Sequence, residues 1–224
     1  MRLHATGADG STDKYDVVAR FVTEHDLRTV LDVGCRDGVL HRRLVLGSRE
    51  PLPSYLGVDL APEAKGLPVV VADLARGLPF DDASVELVAA LDVVEHLDDF
   101  LAGLEELERV TSRYVVLTLP NLAHFLFRAR FLVTGRIGGK YDLVYGQGRD
   151  RHRWLTVQPQ TDAYLSEYCS RRGHRLHSVD LPHAGRKSGP VERTLARLGL
   201  PRSWYVWVTV YVIEKLPEGS TGAT

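Results

Sequence analysis

Cysteine is nearly missing from this chain. Only Cys35 and Cys169 occur in 224 residues, and no cysteine–histidine cluster has the spacing of a zinc site. A reducing, cytoplasmic home is the resulting expectation. No apolar run approaches the roughly 20 residues needed to cross a bilayer. The first residues, Met1 to Asp13, are polar and lack the apolar core of a secretory signal. Neither sign of charge dominates, with 28 basic against 29 acidic residues. That balance gives no electrostatic case for nucleic acid or a membrane surface as partner. Internal repeats and dividing linkers are also lacking, so a single domain over 1–216 is expected. A mobile tail over 217–224, holding Pro217, Gly219 and Gly222, follows it.

What is present is organised around Val30-Leu31-Asp32-Val33-Gly34-Cys35-Arg36-Asp37-Gly38. An apolar strand runs into a glycine-bearing turn and then into a helical pattern over Val39–Leu46. A doubly wound α/β sheet presents its first strand to a nucleotide-like ligand in this way. Gly34 permits the tight turn, and Gly38 lets the following helix pack close to the strand. Asp13 is placed to cap a preceding helix whose apolar positions Tyr15, Val18, Ala19 and Val22 recur at helical spacing. Strands are expected at Thr29–Val33, Tyr55–Val58, Val69–Ala72, Val85–Leu91, Tyr114–Leu119, Arg175–Leu181 and Trp204–Glu214. The first four are nearly continuous apolar runs, the pattern of a parallel sheet covered on both faces. Helices are expected from about Asp98–Asp99, with Leu97, Leu101, Leu104 and Val110 buried and Glu105, Glu106 and Glu108 in water, and over about Asp162–Arg172, closed by Gly173.

Residues 121–157 break the alternation. They are apolar and basic at first, then glycine-rich, and end in Arg149-Asp150-Arg151-His152-Arg153-Trp154. An insertion of this length after the fifth strand is placed to form a lid or substrate wall. Its other use is a contact in a homo-oligomer.

Two cofactor readings compete for the turn. A dinucleotide fingerprint needs glycine at positions 34, 36 and 39, and only Gly34 satisfies it, which disfavours a nicotinamide-dependent oxidoreductase. Asp32, Gly34 and Gly38 instead resemble motif I of class I S-adenosylmethionine-dependent methyltransferases, with Arg36 where the middle glycine would stand. The run from Leu78-Pro79-Phe80-Asp81-Asp82-Ala83-Ser84 to Leu91-Asp92-Val93-Val94-Glu95-His96-Leu97 is very similar to that family's "LPF…LEHL" stretch, in a subgroup acting on small molecules and sugars. Asp59 lies about 20 residues past Gly38, where a carboxylate can accept both ribose hydroxyls. The resemblance implies a Rossmann-like doubly wound sheet of seven strands, the last antiparallel. It also implies S-adenosyl-L-methionine as cofactor, with Asp73 accepting from the adenine amino group and Leu74 beside the ring. The cofactor-binding residues expected are Tyr15, Asp32, Gly34, Cys35, Gly38, Asp59, Leu60, Asp73, Leu74, Leu91 and Asp92. Capping of the next helix is the other explanation for any one acid at a strand end. Four such acids in register, at four successive strand ends, are harder to explain that way.

The activity implied is methyl transfer, a transferase reaction of the EC 2.1.1 type, to oxygen of a small molecule such as a saccharide or specialised metabolite. An alcohol acceptor needs a base, and His96 and His152 are the candidates for catalysis. Each has a plainer explanation, His96 as the start of a helix and His152 as part of a solvated basic loop. Asp92, Glu95 and His96 are ligand types that a metal accepts, but their spacing does not require one, and no metal is expected. The alternative is a cofactor-binding scaffold or regulator of the same fold without transfer activity, motivated by Arg36.

Overall fold

The computed structural model describes residues 13–47, 52–142, 145, 151–183 and 189–216; the expected tail over 217–224 lies outside them. Its helices are α1 (Lys14–Glu24), α2 (Val39–Gly47), α3 (Phe100–Val110), α4 (Phe125–Thr134), α5 (Gln158–Arg172) and α6 (Gly189–Arg197). Its strands are β1 (Thr29–Val33), β2 (Ser54–Asp59), β3 (Val69–Val71), β4 (Val85–Leu91), β5 (Thr111–Pro120), β6 (Arg175–Leu181) and β7 (Val208–Glu214). They form one seven-stranded sheet in the order β3-β2-β1-β4-β5-β7-β6. β7 runs antiparallel to both its neighbours, while the pairings among β1 to β5 are parallel.

Successive side chains of a strand point to opposite faces, and here both faces are covered. In β4, Leu87, Ala89 and Leu91 join a core with Val18, Val22, Leu40 and Leu44 from α1 and α2. Val88 and Ala90 join the opposite core with Leu104, Leu107, Leu165 and Tyr168 from α3 and α5. The continuous apolar reading of β4 has this two-sided burial as its cause.

α1 begins as its sequence requires. Asp13 accepts from the Asp16 amide at 2.9 Å, and the Asp16 side chain takes the Asp13 amide in return, a capping box. Gly173 closes α5 in the left-handed conformation at φ 70°.

The differences from expectation have local causes. In α3, Leu101 is exposed and Leu107 is buried in its place. Glu106 and Glu108 are not turned to water: Glu106 accepts from the Leu78 amide and holds Arg109, and Glu108 accepts from Tyr168 and faces His174. α5 starts at Gln158 with Pro159 inside its first turn, where proline's missing N–H has no intrahelical partner to lose. β7 starts at Val208, because Arg202–Trp204 form a 3-10 turn after Pro201. α6 was not expected from the sequence; it is short and largely polar.

Candidate active site

The turn after β1 is held by its own backbone. The amides of Gly34 and Cys35 both donate to the Val58 carbonyl at the end of β2, at 2.7 and 3.1 Å. Gly34 has φ 76°, and a methyl group there would lie 2.4 Å from Val93 Cγ2. Gly38, at φ 75°, is crowded differently. A methyl there would meet Leu67 Cδ1 at 2.4 Å, so its close approach is to the loop after β2 and not to the strand expected from the sequence. Arg36 takes the left-handed conformation itself, at φ 46°. Its amide donates to Asp59 Oδ2 at 2.9 Å, its carbonyl accepts from Glu63 and Ala64, and its exposed side chain reaches back to Glu63. The position is occupied by backbone geometry, at a steric cost of roughly 1–2 kcal/mol for a residue with a Cβ.

The expected acids separate into three kinds. Asp32 is buried below the turn and accepts from the Tyr55 hydroxyl at 2.7 Å. Burial pushes its carboxyl up to about 7, with the Asp59 charge adding to the effect. Asp59 and Asp73 stand half-buried at the ends of β2 and before the turn that follows β3. Asp59 also accepts from the Ala61 amide at 2.9 Å, and Asp73 caps its turn through the Ala75 amide at 3.0 Å. Asp92, just past β4, is exposed and left-handed at φ 59°. The Thr118 hydroxyl, from β5, donates to its carboxylate at 2.7 Å, and Lys14 pairs with it from α1.

Tyr15 lies within this acidic end of the sheet. Burial first, then the charges of Asp92, Asp32 and Asp37, push its hydroxyl up to about 12. The Cys35 thiol is buried and likewise raised to about 12, so it stays protonated and inert near neutrality. Leu60 is exposed, whereas the side chains of Leu74 and Leu91 fill the two cores. Any part those two leucines have toward a ligand falls to their backbone.

Beyond Asp92 the chain makes a 3-10 turn over Val94–His96, and the end of the insertion is fastened to it. The Arg153 amide donates to the Glu95 carbonyl at 2.8 Å, and the Trp154 indole donates to the Leu97 carbonyl at 2.9 Å. This brings His152 beside His96, with ring centroids 4.6 Å apart. His96 Nδ1 lies 3.0 Å from the Arg151 carbonyl, and His152 Nδ1 lies 2.5 Å from the Tyr141 hydroxyl. Glu95 is fully buried. Burial, then the neighbouring Asp92, raises its carboxyl to about 8, against a smaller opposing pull from Lys14 and Lys140. The two histidines singled out in the sequence thus meet. Glu95 was recognised there only as a ligand type, because its burial depends on a segment distant in sequence.

On the other side of Trp154, a cavity of about 530 Å³ opens between α3 and α5. Phe100, Leu119, Trp154, Val157 and Tyr164 give it an apolar wall, with Asp98 and Gln160 among its polar groups.

A mixed seven-stranded sheet, with a glycine turn opening toward acids at successive strand ends, defines the class: this is the Rossmann-like fold of the class I methyltransferases. Within that class, a family model described as a methyltransferase domain matches residues 31–117. No curated protein sequence matches the chain significantly. Among solved structures, a SAM-dependent methyltransferase from Archaeoglobus fulgidus aligns with a TM-score of 0.59 at 18% identity, covering 90% of this chain and 95% of that one. The small RNA methyltransferase HEN1 aligns with a TM-score of 0.63 at 14% identity, covering 97% of this chain but 27% of its own. Magnesium protoporphyrin IX methyltransferase from Synechocystis, with SAH bound, gives 0.56 at 14% identity, covering 90% of this chain and 82% of that one. The domain match covers residues 31–117, and the solved structures share the fold.

Proposed function

We propose that this chain transfers the methyl group of S-adenosyl-L-methionine to an oxygen of a small molecule, with a saccharide or specialised metabolite as the acceptor class. The observation that carries the donor half is the bond from the Arg36 amide to Asp59, which locks the glycine turn to the acid at the end of β2. Each Asp59 oxygen accepts one backbone amide and keeps a second acceptor site, so the carboxylate is fixed in place and can still take ribose hydroxyls. Gly34 lets the turn take its left-handed conformation in close contact with Val93, which fixes the backbone beside Asp59. The residues present therefore fit the cofactor. Bound there, it supplies a methyl group already activated on a positively charged sulfur.

The chain's own task is then to orient the acceptor and exclude water. Asp59 holds the ribose, Asp73 the adenine amino group, and Tyr15 covers the cofactor from α1. His96 and His152 stand on the acceptor side, next to Asp92. The nearby apolar cavity and the balanced net charge favour a small acceptor over a polyanion. An RNA acceptor, which the HEN1 likeness brings forward, is the competing outcome. The scaffold alternative loses its motive, since Arg36 meets the turn through its backbone and turns its side chain away.

Calorimetry with S-adenosylhomocysteine tests the donor half. Wild type binds saturably, and Asp59→Ala weakens binding by at least about tenfold, the loss of one charge-assisted contact worth roughly 1.5–3 kcal/mol. A wild-type chain that binds neither S-adenosylhomocysteine nor S-adenosylmethionine overturns the proposal. Labelled methyl from the donor appearing in RNA rather than in a small-molecule fraction of cell extract overturns the acceptor class alone.

A further inference from the structure

We infer that Glu95, His96 and His152 form a binding site for a divalent first-row transition cation, immediately past the end of β4. One ligand atom from each residue lies within 4.8 Å of the other two. Bonds of about 2.0–2.2 Å from nitrogen and oxygen to such an ion place its ligand atoms at most a little over 4 Å apart, so small side-chain adjustments close the cluster around one ion. Glu95 Oε1 and His152 Nε2 stand 4.0 Å apart. That is too far for a hydrogen bond and suited to an ion between them.

Glu95 supplies the independent observation. It is fully buried, and neither carboxylate oxygen has a hydrogen-bond partner among the described residues. A buried carboxyl group left without a partner is costly whether or not it holds a proton, and coordination to a metal is one way such a group is satisfied in proteins. The other neighbouring acid is already engaged, since Asp92 is held by Lys14 and Thr118. Supporting contacts behind the histidines point the same way. His96 Nδ1 meets the Arg151 carbonyl and His152 Nδ1 meets the Tyr141 hydroxyl. The Arg151 carbonyl can only accept, so it sets the His96 tautomer that presents Nε2 as the ligand, and the Tyr141 hydroxyl holds the His152 ring with its Nε2 toward Glu95.

Two imidazoles and one carboxylate suit Mn²⁺, Co²⁺ or Zn²⁺ better than Mg²⁺ or Ca²⁺, which prefer all-oxygen surroundings. Three protein ligands leave coordination positions open, as in sites that bind a substrate atom. The cation's use, holding an acceptor hydroxyl and lowering its pKa, rests on the methyl-transfer reading; its binding does not.

The test is titration of the metal-stripped full chain with MnCl₂, reading free Mn²⁺ by electron paramagnetic resonance. The expected result is saturation at about one ion per chain, displaced by Zn²⁺. Glu95→Gln and His152→Ala each weaken Mn²⁺ at least about tenfold, and Tyr141→Phe weakens it less. Circular dichroism and S-adenosylhomocysteine affinity, measured on the same preparations, separate ligand loss from misfolding. Failure to bind Mn²⁺, Co²⁺ or Zn²⁺, or wild-type affinity in both Glu95→Gln and His152→Ala, overturns the site. If S-adenosylhomocysteine still binds, the donor reading survives that failure. Should Mn²⁺ bind without S-adenosylhomocysteine binding, only the donor reading falls.

Discussion

Asp32 shows how one position can look like a ligand residue in sequence and act from below the site in the structure. An acid two residues before a glycine turn is what a cofactor site needs, and nothing in the adjacent sequence announces Tyr55, whose hydroxyl covers it. Asp59 and Asp73 were legible because strand-end acids are local features, and both do meet backbone amides there. Burial of Asp32 carries its own consequence for stability. Its folded pKa, about 7, is raised above the ordinary 3.8 by desolvation. Between those values the native chain holds a proton that the unfolded chain has released. This group's stabilising contribution is therefore complete below about pH 4 and is lost as pH rises toward 7, at up to roughly 1.4 kcal/mol per pH unit. Asparagine at this position keeps an acceptor for Tyr55 and cannot titrate. Urea unfolding of wild type and Asp32→Asn at pH 5, 6 and 7 is expected to show the variant gaining relative stability as pH rises. Parallel curves would mean that Asp32 is ionised in the folded chain throughout this range.

Strands and helices were readable where their bonds and contacts are regular. β1, β4 and β6 have the bounds expected from their sequences, because each is an apolar or alternating run cut off by turn residues. The insertion was not readable, because its architecture depends on pairs remote in sequence. Asn121, at the end of β5, is its fastening. The buried amide donates to the carbonyls of Ser203 and Val206 at 2.9 and 2.6 Å, and its oxygen accepts from the amides of Ala123 and Gln158 at 3.1 Å each. The Leu122 amide and the Thr156 carbonyl close the same loop at 3.0 Å. One side chain thus joins β5, the start of α5 and the turn before β7. Asn121→Ala removes four hydrogen bonds to buried backbone; with partial relaxation the expected loss is about 2–4 kcal/mol, measured by urea unfolding. The same variant is expected to be cut faster by protease within 121–157, since closure of that segment loses its anchor. Unchanged stability and cleavage would show that the remaining bonds suffice to hold the insertion.

At the scale of the whole molecule the two halves of the site have different origins. Apart from Tyr15 in α1, the residues proposed for the donor half lie within residues 31–117, the span the methyltransferase-domain model matches, at one end of the parallel strands. The proposed acceptor half is completed only when residues 151–154 return across the turn after β4. That is why glycines and acids disclosed the first half, whereas the Glu95–His96–His152 grouping appears only in three dimensions. If the halves are separable, ligand-linked stability resolves them. A ligand that binds only the folded chain adds about 2.7 kcal/mol at a concentration one hundred times its Kd. For a chain of this size each kcal/mol raises Tm by about 2–4 °C, so S-adenosylhomocysteine is expected to raise the wild-type Tm by roughly 5–11 °C. At that same concentration Asp59→Ala, binding at least about tenfold more weakly, loses about half of the shift or more, while Glu95→Gln, altered on the acceptor side, keeps it. Mn²⁺ reverses the pattern: it stabilises wild type and Asp59→Ala in full and Glu95→Gln by about half as much or less. Equal loss of both shifts in Glu95→Gln, with its fold intact by circular dichroism, would show one coupled site instead of two adjoining ones.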